Sequence, residues 1–333
     1  MGKEKVMGKE KGSDRYTPPD GSQEKHPDGS RIIQVAQVDA FTNQLFGGNP
    51  AGVVWKGAEQ LSEEEMQQVA REMNLSETAF VLPSENGDFR LRYFTPESEI
   101  NFCGHATVGT LYALARHEQF RMQDVGDHAF TVETNVGILP MSVHRQENDA
   151  VTISFRAPEI DLQPSKFRPE QIATALRVDK DLIDPTKPSM REQTNNIVYV
   201  ATKSLKDLGS VTYDYQRAKA FSEKHDIIVF CFLTPETFDR NNHVHSRVFA
   251  PAVGLVEDPP TGATQGGLAA YLIHNRMVPS DTRVINSEQG HFVKRPGQLQ
   301  IHVKKEHGRL AADIHARAVL AFSTEIKLPA NRK

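Results

Sequence analysis

Apolar and polar residues recur with two different periods along this chain, which places strands and helices throughout its length. Short runs rich in β-branched and aromatic residues, bounded by Gly, Pro or Asn, predict strands. These runs cover residues 32–38, 51–55, 79–83, 89–94, 128–133, 136–144, 151–155, 197–202, 227–233, 246–251, 282–286, 298–304, 310–315 and 317–322. Ordered structure is expected to begin at Arg31, next to the first of them.

Apolar residues at helical spacing predict helices between these strands. The helices cover residues 63–73, 105–117, 169–176, 214–224 and 261–275. Ser62 stands three residues before Glu65, which is the capping-box spacing expected where the first helix begins. Because strands and helices do not alternate strictly, the pattern favours an α+β fold over a doubly wound parallel sheet.

The bulk properties indicate a soluble globular chain and exclude several classes of protein. Of 333 residues, 38% are hydrophobic and 25% are charged, and the formal net charge of -4 provides no basic field for nucleic acid. No apolar run reaches the roughly 20 residues of a membrane-spanning helix. The charged start MGKEKVMGKEKG is unlike a secretory signal, so we expect a cytoplasmic protein. Residues 1–30 hold few apolar side chains and are predicted to form a disordered tail.

Two segments of the chain are similar to each other. One reads RYFTP and later CGHATVGTLYALARH, and the other reads RVFAP and later TGATQGGLAAYLIHN. Aligning the glycines pairs Gly104 with Gly262 and Cys103 with Thr261. Unpaired N–H groups where a helix begins attract an anion, and glycine allows a ligand to approach closely. A duplication therefore predicts two helices that hold one substrate carboxylate from two sides, and chance similarity of short segments is the alternative.

Three residues are candidates for acid or base chemistry. Glu77 lies between a helix and an apolar strand, where apolar neighbours are expected to raise its pKa toward neutrality. His105 stands where a predicted helix begins and is suited to proton transfer or substrate binding. Asp258 precedes Pro259 and Pro260, which hold the loop rigid. Each candidate also has an ordinary structural interpretation as a surface acid, a core or capping histidine, and a capping carboxylate.

Other reactive side chains fit less well into a site. Cys103 stands where a helix begins, and thiols there are acidified, but a two-thiol racemase would need a cysteine in place of Thr261. Cys231 lies in an apolar strand and is predicted to be core. His243 and His245 form an H-x-H pair without a third ligand at recognisable spacing, so we expect a surface loop rather than a metal site.

Four motifs follow one another in the chain. They are VDAFTNQLFGGNPAGVV (38–54), LSETAFV (75–81), RYFTPESEINFCGHATVGT (92–110) and EDPPTGATQGGLAAYL (257–272). Together they resemble the phenazine-biosynthesis PhzF-like family, collinearly over nearly everything from residue 31 onward. The combination is specific, although no single motif is.

The resemblance implies the diaminopimelate-epimerase-like fold. That α+β fold has two pseudo-symmetric half-domains, each a mixed, mainly antiparallel sheet wrapped around a central helix. We expect the N-terminal half-domain over residues 31–147 and the C-terminal half-domain over residues 148–316. A last strand, at about 317–333, is expected to return to the first half. Family members are commonly homodimers, so a homodimer is expected here.

The resemblance also implies site residues. Glu77 would be the acid/base that moves a proton between carbons, with His105 and Asp258 lining the site and handling polar groups of the substrate. Gly104 and Gly262 would donate backbone N–H groups to the substrate carboxylate.

Three further positions belong to the implied site. Asn49 and Ser76 match motif positions that border the cleft. Ala263 stands where the family often has a serine. The alanine lacks the hydroxyl donor, so the identity of the substrate stays open.

The sequence therefore predicts an isomerase that uses neither a cofactor nor a metal. Its substrate would be a small carboxylate-bearing metabolite, cyclic ones included, and the reaction would be proton transfer at carbon in the cleft between the half-domains. Two alternatives remain: a non-catalytic small-molecule-binding or protein-interaction member of the same fold, and a thiol-dependent racemase or epimerase that uses Cys103.

Overall fold

The computed structural model describes residues 28–330, so the predicted tail, residues 1–30, lies outside the described residues except for its last three. The strands are β1 (Arg31–Ala40), β2 (Asn49–Lys56), β3 (Thr78–Leu82), β4 (Phe89–Phe94), β5 (Glu99–Ile100), β6 (Gly126–Thr134), β7 (Gly137–Arg145), β8 (Val151–Arg156), β9 (Leu162–Pro164), β10 (Met190–Glu192), β11 (Ile197–Ala201), β12 (Val229–Thr234), β13 (Val244–Ala250), β14 (Leu255–Asp258), β15 (Val284–Gln289), β16 (Gly297–Glu306), β17 (Arg309–Ala316) and β18 (Ala318–Leu328). The α-helices are α1 (Glu63–Met73), α2 (Gly104–Arg116), α3 (Pro169–Leu176), α4 (Leu205–Ser210), α5 (Tyr215–His225) and α6 (Gln265–His274).

Strand pairing connects the two halves of the chain. One series of neighbouring strands runs through the first half as β18-β1-β2-β3-β4-β6-β7 and continues to β8, the first strand of the expected second half. In the second half they run β17-β16-β15-β13-β12-β11-β10-β9. The antiparallel pair β8–β17 joins these two series. The last strand, β18, pairs along the whole of β1, so the end of the chain returns to its beginning.

Each half contains one helix that is buried on nearly every side. In α2, ten of the 13 residues are buried, and in α6, seven of the ten are. Helices that are apolar all round belong in a core rather than on a surface. Residues of both helices belong to a single hydrophobic core cluster, which also takes in residues of β1, β2, β11 and β17.

The remaining helices cover the outer faces of the strands. The amphipathic helix α1 buries Met66, Val69 and Ala70 in a smaller core with β1 and β3. Its capping box is present as predicted, because Ser62 and Glu65 bond to each other's backbone N–H groups. Helices α3, α4 and α5 form a third core against β11 and β12. No helix in residues 28–330 has both the length and the apolar character needed to cross a bilayer.

The short elements are where the sequence prediction was wrong. The helix expected over 261–275 begins only at Gln265, and Asp258, which was expected in a loop, is the last residue of β14. The predictions also missed β5, β9, β10 and α4. These elements have two to six residues, too few to show a periodicity. β5 and β10 pair with the longer strands β4 and β11, and β9 pairs in turn with β10.

Candidate active site

The predicted site residues meet at the junction of the two halves of the chain. Asn49, the first residue of β2, is buried and donates from Nδ2 to Asp258 Oδ1 at 3.1 Å and to the Pro260 carbonyl at 3.2 Å. Asp258 ends β14, and Thr261 donates its hydroxyl to the other carboxylate oxygen at 2.5 Å. The carboxylate of the second half is therefore fixed by one donor from each half.

Glu77 lies opposite, in the turn between α1 and β3. Its Oε2 is 3.0 Å from Nε2 of His105, the second residue of α2, and only 16% of the Glu77 side chain is exposed. The Ser76 hydroxyl lies 3.3 Å from the same ring nitrogen. The other ring nitrogen, Nδ1, is 3.4 Å from the sulfur of Cys103. Both nitrogens of His105 therefore face polar partners within the site.

The electrostatics of this cluster differ from the expectation for Glu77. Burial by itself raises the pKa of Glu77, but the hydrogen bond and charge of His105, helped by Ser76 and Cys103, lower it below its usual value. Burial opposes the charged form of His105, yet Cys103 and Glu77 raise the pKa of the imidazole well above its usual value. The predicted raised pKa of Glu77 is therefore wrong: an imidazolium beside the carboxylate outweighs its apolar surroundings.

Cys103 does not have the acidic thiol that its position predicts. Burial raises the pKa of Cys103, although the charge of His105 and the Ala106 N–H act in the opposite direction. Because the thiol is buried, the free-energy cost of desolvating a thiolate exceeds the stabilisation that the N-terminus of α2 gives to its negative charge. Cys231, as predicted, is completely buried on β12.

Asp258 has the raised pKa that was expected of Glu77. Burial raises the pKa of Asp258 to about 6, and the charge of Glu77 acts in the same direction. His105 and the hydrogen bonds from Thr261 and Asn49 lower it without cancelling that effect. The influence of Glu77 and His105 on this carboxyl indicates that the three predicted acid/base residues share one electrostatic environment.

The two aligned glycines are not equivalent in the structure. Gly104 is the first residue of α2, and no atom of residues 28–330 lies within 4 Å of where its Cβ would be. Gly262 lies three residues before α6, in a turn closed by the Gln265 N–H, and a Cβ there would be 3.1 Å from Phe41 Cζ. Two equivalent helix N-termini are therefore not present: Gly104 borders open space, whereas Gly262 packs against an aromatic ring.

The remaining predicted substrate-binding residues differ in how deeply they are buried. Ser76 is half-buried beside His105, as a residue bordering the site should be. Asn49 is 1% exposed, so it acts on the site through Asp258. Ala263 is exposed in the turn before α6.

Sequence reasoning missed two supports of Asp258. Thr261 was considered only as the counterpart of a thiol, although a hydroxyl three residues after an aspartate is well placed to reach its carboxylate. Gln289 donates from Nε2 to the backbone carbonyls of Asp258 and Pro259, at 3.1 and 2.6 Å. Since Gln289 ends β15, about thirty residues away, no local signal could have identified it.

Residues from both halves of the chain form a second group of polar side chains, which does not include Glu77. A cavity of about 630 Å³ is lined by Thr42, Asn43, Gln44, Gln146, Thr152, Asp239, Asn241, Asn242, Asn286, His291, Pro296, Gly297, Gln298, Leu299, Gln300, His315, Ala316 and Arg317. The predicted acid/base residues are not among them. The expected loop holds for His243, which is half-buried in the bend before β13, but is wrong for His245, which is fully buried on β13 against Phe238, His291 and Phe292.

The candidate active site contains three side chains of the types that bind metal ions. Ligand atoms of Glu77, Cys103 and His105 lie within 4.8 Å of one another. Each ring nitrogen of His105 already faces a partner, Glu77 on one side and Cys103 on the other. Glu77 Oε2, although 3.0 Å from His105, makes no hydrogen bond within residues 28–330 and is left for a further partner. A carboxylate beside an imidazole is an arrangement suited to acid/base chemistry.

Comparison with known proteins places this chain in a family. The family model described as phenazine biosynthesis-like protein matches residues 38–324. An uncharacterized isomerase of Clostridium acetobutylicum is 33% identical over 306 residues, covering 90% of this chain and 99% of that protein. Trans-2,3-dihydro-3-hydroxyanthranilate isomerase of Pseudomonas aeruginosa is 34% identical over 277 residues, covering 83% of this chain and 92% of that protein.

The solved structures agree with the sequence relatives. The crystal structure of a Bacillus anthracis phenazine biosynthesis protein of the PhzF family matches with a TM-score of 0.79 at 32% identity. The match covers 89% of this chain and 99% of that one. The predicted α+β fold of the diaminopimelate-epimerase type is thereby confirmed, and the names of the relatives support isomerase activity in general. This chain belongs to the PhzF family of phenazine biosynthesis-like proteins.

Proposed function

We propose that this protein is a cofactor-independent isomerase of a small carboxylate-bearing metabolite, with Glu77 as the acid/base. The observation that carries the proposal is the 3.0 Å contact between Glu77 Oε2 and His105 Nε2 at the junction of the two halves. Two relatives named as isomerases support the reaction class. The proton would be taken from one carbon and returned to the substrate on the same face.

The lowered pKa of Glu77 defines how such a reaction can proceed. The ionised carboxylate is the form that accepts a proton, and the same group, once protonated, can return it. A carboxylate of low pKa is a weak base, so the negative charge that develops on the substrate must be stabilised by the site. The His105 imidazolium and the unpaired N–H groups where α2 begins supply positive charge beside Glu77.

Asp258 has a complementary role in this proposal. With a pKa of about 6, its carboxyl is protonated in part of the molecules near neutral pH and can donate or accept a hydrogen bond. Asn49 and Thr261 fix its orientation, so it meets the substrate in one geometry. The open space in front of Gly104 leaves room for a substrate carboxylate against the N-terminus of α2.

The substrate class follows from the site and from one relative. The name of the Pseudomonas aeruginosa relative identifies its substrate as trans-2,3-dihydro-3-hydroxyanthranilate, a cyclic hydroxylated amino acid. We propose a substrate with a carboxylate and an acidifiable C–H bond next to an extended π system. Ala263 offers no hydroxyl to the substrate, so a less polar carboxylate environment than in serine-containing members is part of the proposal.

Solvent-deuterium exchange tests the proposal directly. The protein is incubated in D₂O with trans-2,3-dihydro-3-hydroxyanthranilate and a panel of cyclic hydroxylated carboxylic acids, and incorporation is read by mass spectrometry. Glu77→Gln should reduce exchange at least about a hundredfold, because it removes the proton carrier. Glu72→Gln makes the same change on the exposed face of α1 and should exchange like wild type.

The same assay separates the alternatives. Exchange at the wild-type rate by Glu77→Gln would overturn the role of Glu77, and loss of exchange in Cys103→Ser alone would favour the thiol mechanism. Binding of a panel member with neither incorporation of deuterium nor conversion to an isomer would support the non-catalytic alternative. The raised pKa of Cys103 and the presence of Thr261 at the paired position argue against the thiol mechanism.

A further inference from the structure

A second cluster of potential ligands lies in the C-terminal part of the chain. His245 is on β13, Glu288 is on β15, and His291 follows β15 by two residues. Ligand atoms of these three side chains lie within 4.8 Å of one another. His245 and Glu288 are completely buried, with His245 Nδ1 at 2.8 Å from Glu288 Oε1. None of the three belongs to the site of Glu77.

Glu288 is already saturated with hydrogen bonds. Its Oε1 accepts the Phe238 N–H at 2.6 Å in addition to His245. Its Oε2 accepts the Asp239 N–H at 3.1 Å and the Asn242 amide at 2.7 Å. A carboxylate with this many donors is an orienting partner rather than a direct ligand.

The bond to Glu288 determines which nitrogen of His245 remains available. Because Nδ1 donates its proton to the carboxylate, the neutral ring carries its lone pair on Nε2. That Nε2 is buried and has no hydrogen-bond partner among residues 28–330. A carboxylate behind one ring nitrogen and a free lone pair on the other is the usual arrangement of a metal-ligating histidine.

His291 provides a second nitrogen in the same state. Its Nδ1 is buried and, within the described part of the chain, also finds no hydrogen-bond partner. The rings of His245 and His291 have centroids 5.0 Å apart. Phe238 stacks on His291 at 4.4 Å and lies edge-on to His245 at 5.3 Å, which holds both rings in place.

The cluster also borders a cavity. His291 lines the cavity of about 630 Å³, together with the polar side chains of Asp239, Asn242 and Asn286. An ion bound to His291 would therefore lie next to this cavity, from which water or a small ligand can complete its coordination. Imidazole nitrogens favour zinc, copper and nickel over magnesium and calcium, which prefer oxygen.

We propose that His245 and His291 bind one divalent transition metal ion, of which Zn²⁺ is the representative, and that Glu288 orients His245 for it. Ligands about 2.1 Å from one ion lie at most about 4.2 Å from each other, a span comparable with the 4.8 Å within which ligand atoms of this cluster lie. The site is separate from the proposed isomerase chemistry and does not depend on it.

The test is a zinc titration of tag-free, full-length protein after removal of bound metal, in competition with a chromophoric chelator and in the presence of excess Mg²⁺. Wild type should bind one Zn²⁺ per chain. His291→Gln and His245→Gln should each weaken binding at least tenfold. His274→Gln, at the exposed end of α6, should bind like wild type, because it controls for adventitious binding to surface histidines.

Two measurements keep the result interpretable. His245→Gln alters a buried side chain and can disturb folding, whereas His291→Gln leaves every hydrogen bond of Glu288 in place, and circular dichroism checks both variants. Co²⁺ bound to wild type should give visible absorption that changes in His291→Gln. Wild type without tight binding, or folded His291→Gln with wild-type affinity, would overturn the proposal.

Discussion

The two carboxylates of the candidate active site come from different halves of the chain and are held in opposite states. Glu77 lies beside an imidazolium, and its pKa is lowered despite burial. Within residues 28–330, the Asp258 carboxyl accepts hydrogen bonds from the neutral donors Asn49 and Thr261, and burial raises its pKa to about 6. Groups whose environments push their pKa values apart can divide base and acid roles at one pH. The duplicated fold thus carries two different chemical environments.

The largest effect is expected when His105, which distinguishes the two environments, is removed. In His105→Asn, burial should dominate and the pKa of Glu77 should rise above its usual value, because the compensating charge is lost. Deuterium exchange into a substrate should fall about a hundredfold or more. The pKa is measured by NMR titration of the labelled Glu77 carboxyl. A pKa that stays low in a folded His105→Asn variant would contradict this account.

The sign of the pH dependence follows for the ion pair. The lowered pKa of Glu77 contributes stability that is lost as the pH falls through that pKa, and the raised pKa of His105 contributes stability that is lost as the pH rises through it. The free energy of unfolding of wild type should exceed that of His105→Asn by the largest margin at pH values between the pKa of Glu77 and the pKa of His105. This range includes weakly acidic pH.

The contribution of Asp258 to stability should depend on pH in the opposite direction from that of Glu77. The expected effect is intermediate in size among these predictions. Its folded-state pKa of about 6 exceeds the unfolded value of 3.8, so ionisation destabilises the protein as the pH rises through this interval. Asp258→Asn removes that cost, and its free energy of unfolding relative to wild type should increase from pH 4 to pH 7 by up to about 3 kcal/mol. Urea unfolding at several pH values measures the change.

A matched control sharpens this result. Asp281→Asn makes the same substitution at an exposed position, and its difference from wild type should not change over the interval. Equal pH profiles for Asp258→Asn and Asp281→Asn would mean that Asp258 is not held in its raised-pKa state.

The smallest effects are expected from the paired glycines. Gly262→Ala should lower the free energy of unfolding by about 1 kcal/mol or more, since the new methyl group would lie 3.1 Å from the Phe41 ring. Gly104→Ala meets no atom of the described residues within 4 Å, so stability should change by less than about 1 kcal/mol. If the open space holds the substrate, however, Gly104→Ala should raise KM. Equal stability losses in the two variants would remove the distinction between these positions.

The parts of this picture that were predictable rest on local signals. The capping box of Ser62 and Glu65 and the long apolar runs identify helices and strands because neighbours in sequence determine them. The pKa of Glu77 depends instead on His105, 28 positions later, whose charge no local pattern reveals. His245 was assigned to a surface loop because β15, which buries it, lies about forty residues further along the chain. Contacts between distant segments therefore set the limit of the sequence prediction.

The pairing of β8 with both β7 and β17 has a consequence for how this protein loses its structure. Because the hydrogen-bonded strands pass from one half into the other and both central helices share one core, neither half can melt without breaking backbone bonds of its neighbour. Unfolding should be cooperative across the two halves, and the amide protons of β7, β8 and β17 should be among the last to exchange. The residues of the candidate active site, which meet at the junction of the two halves, therefore keep their relative positions while peripheral segments open locally.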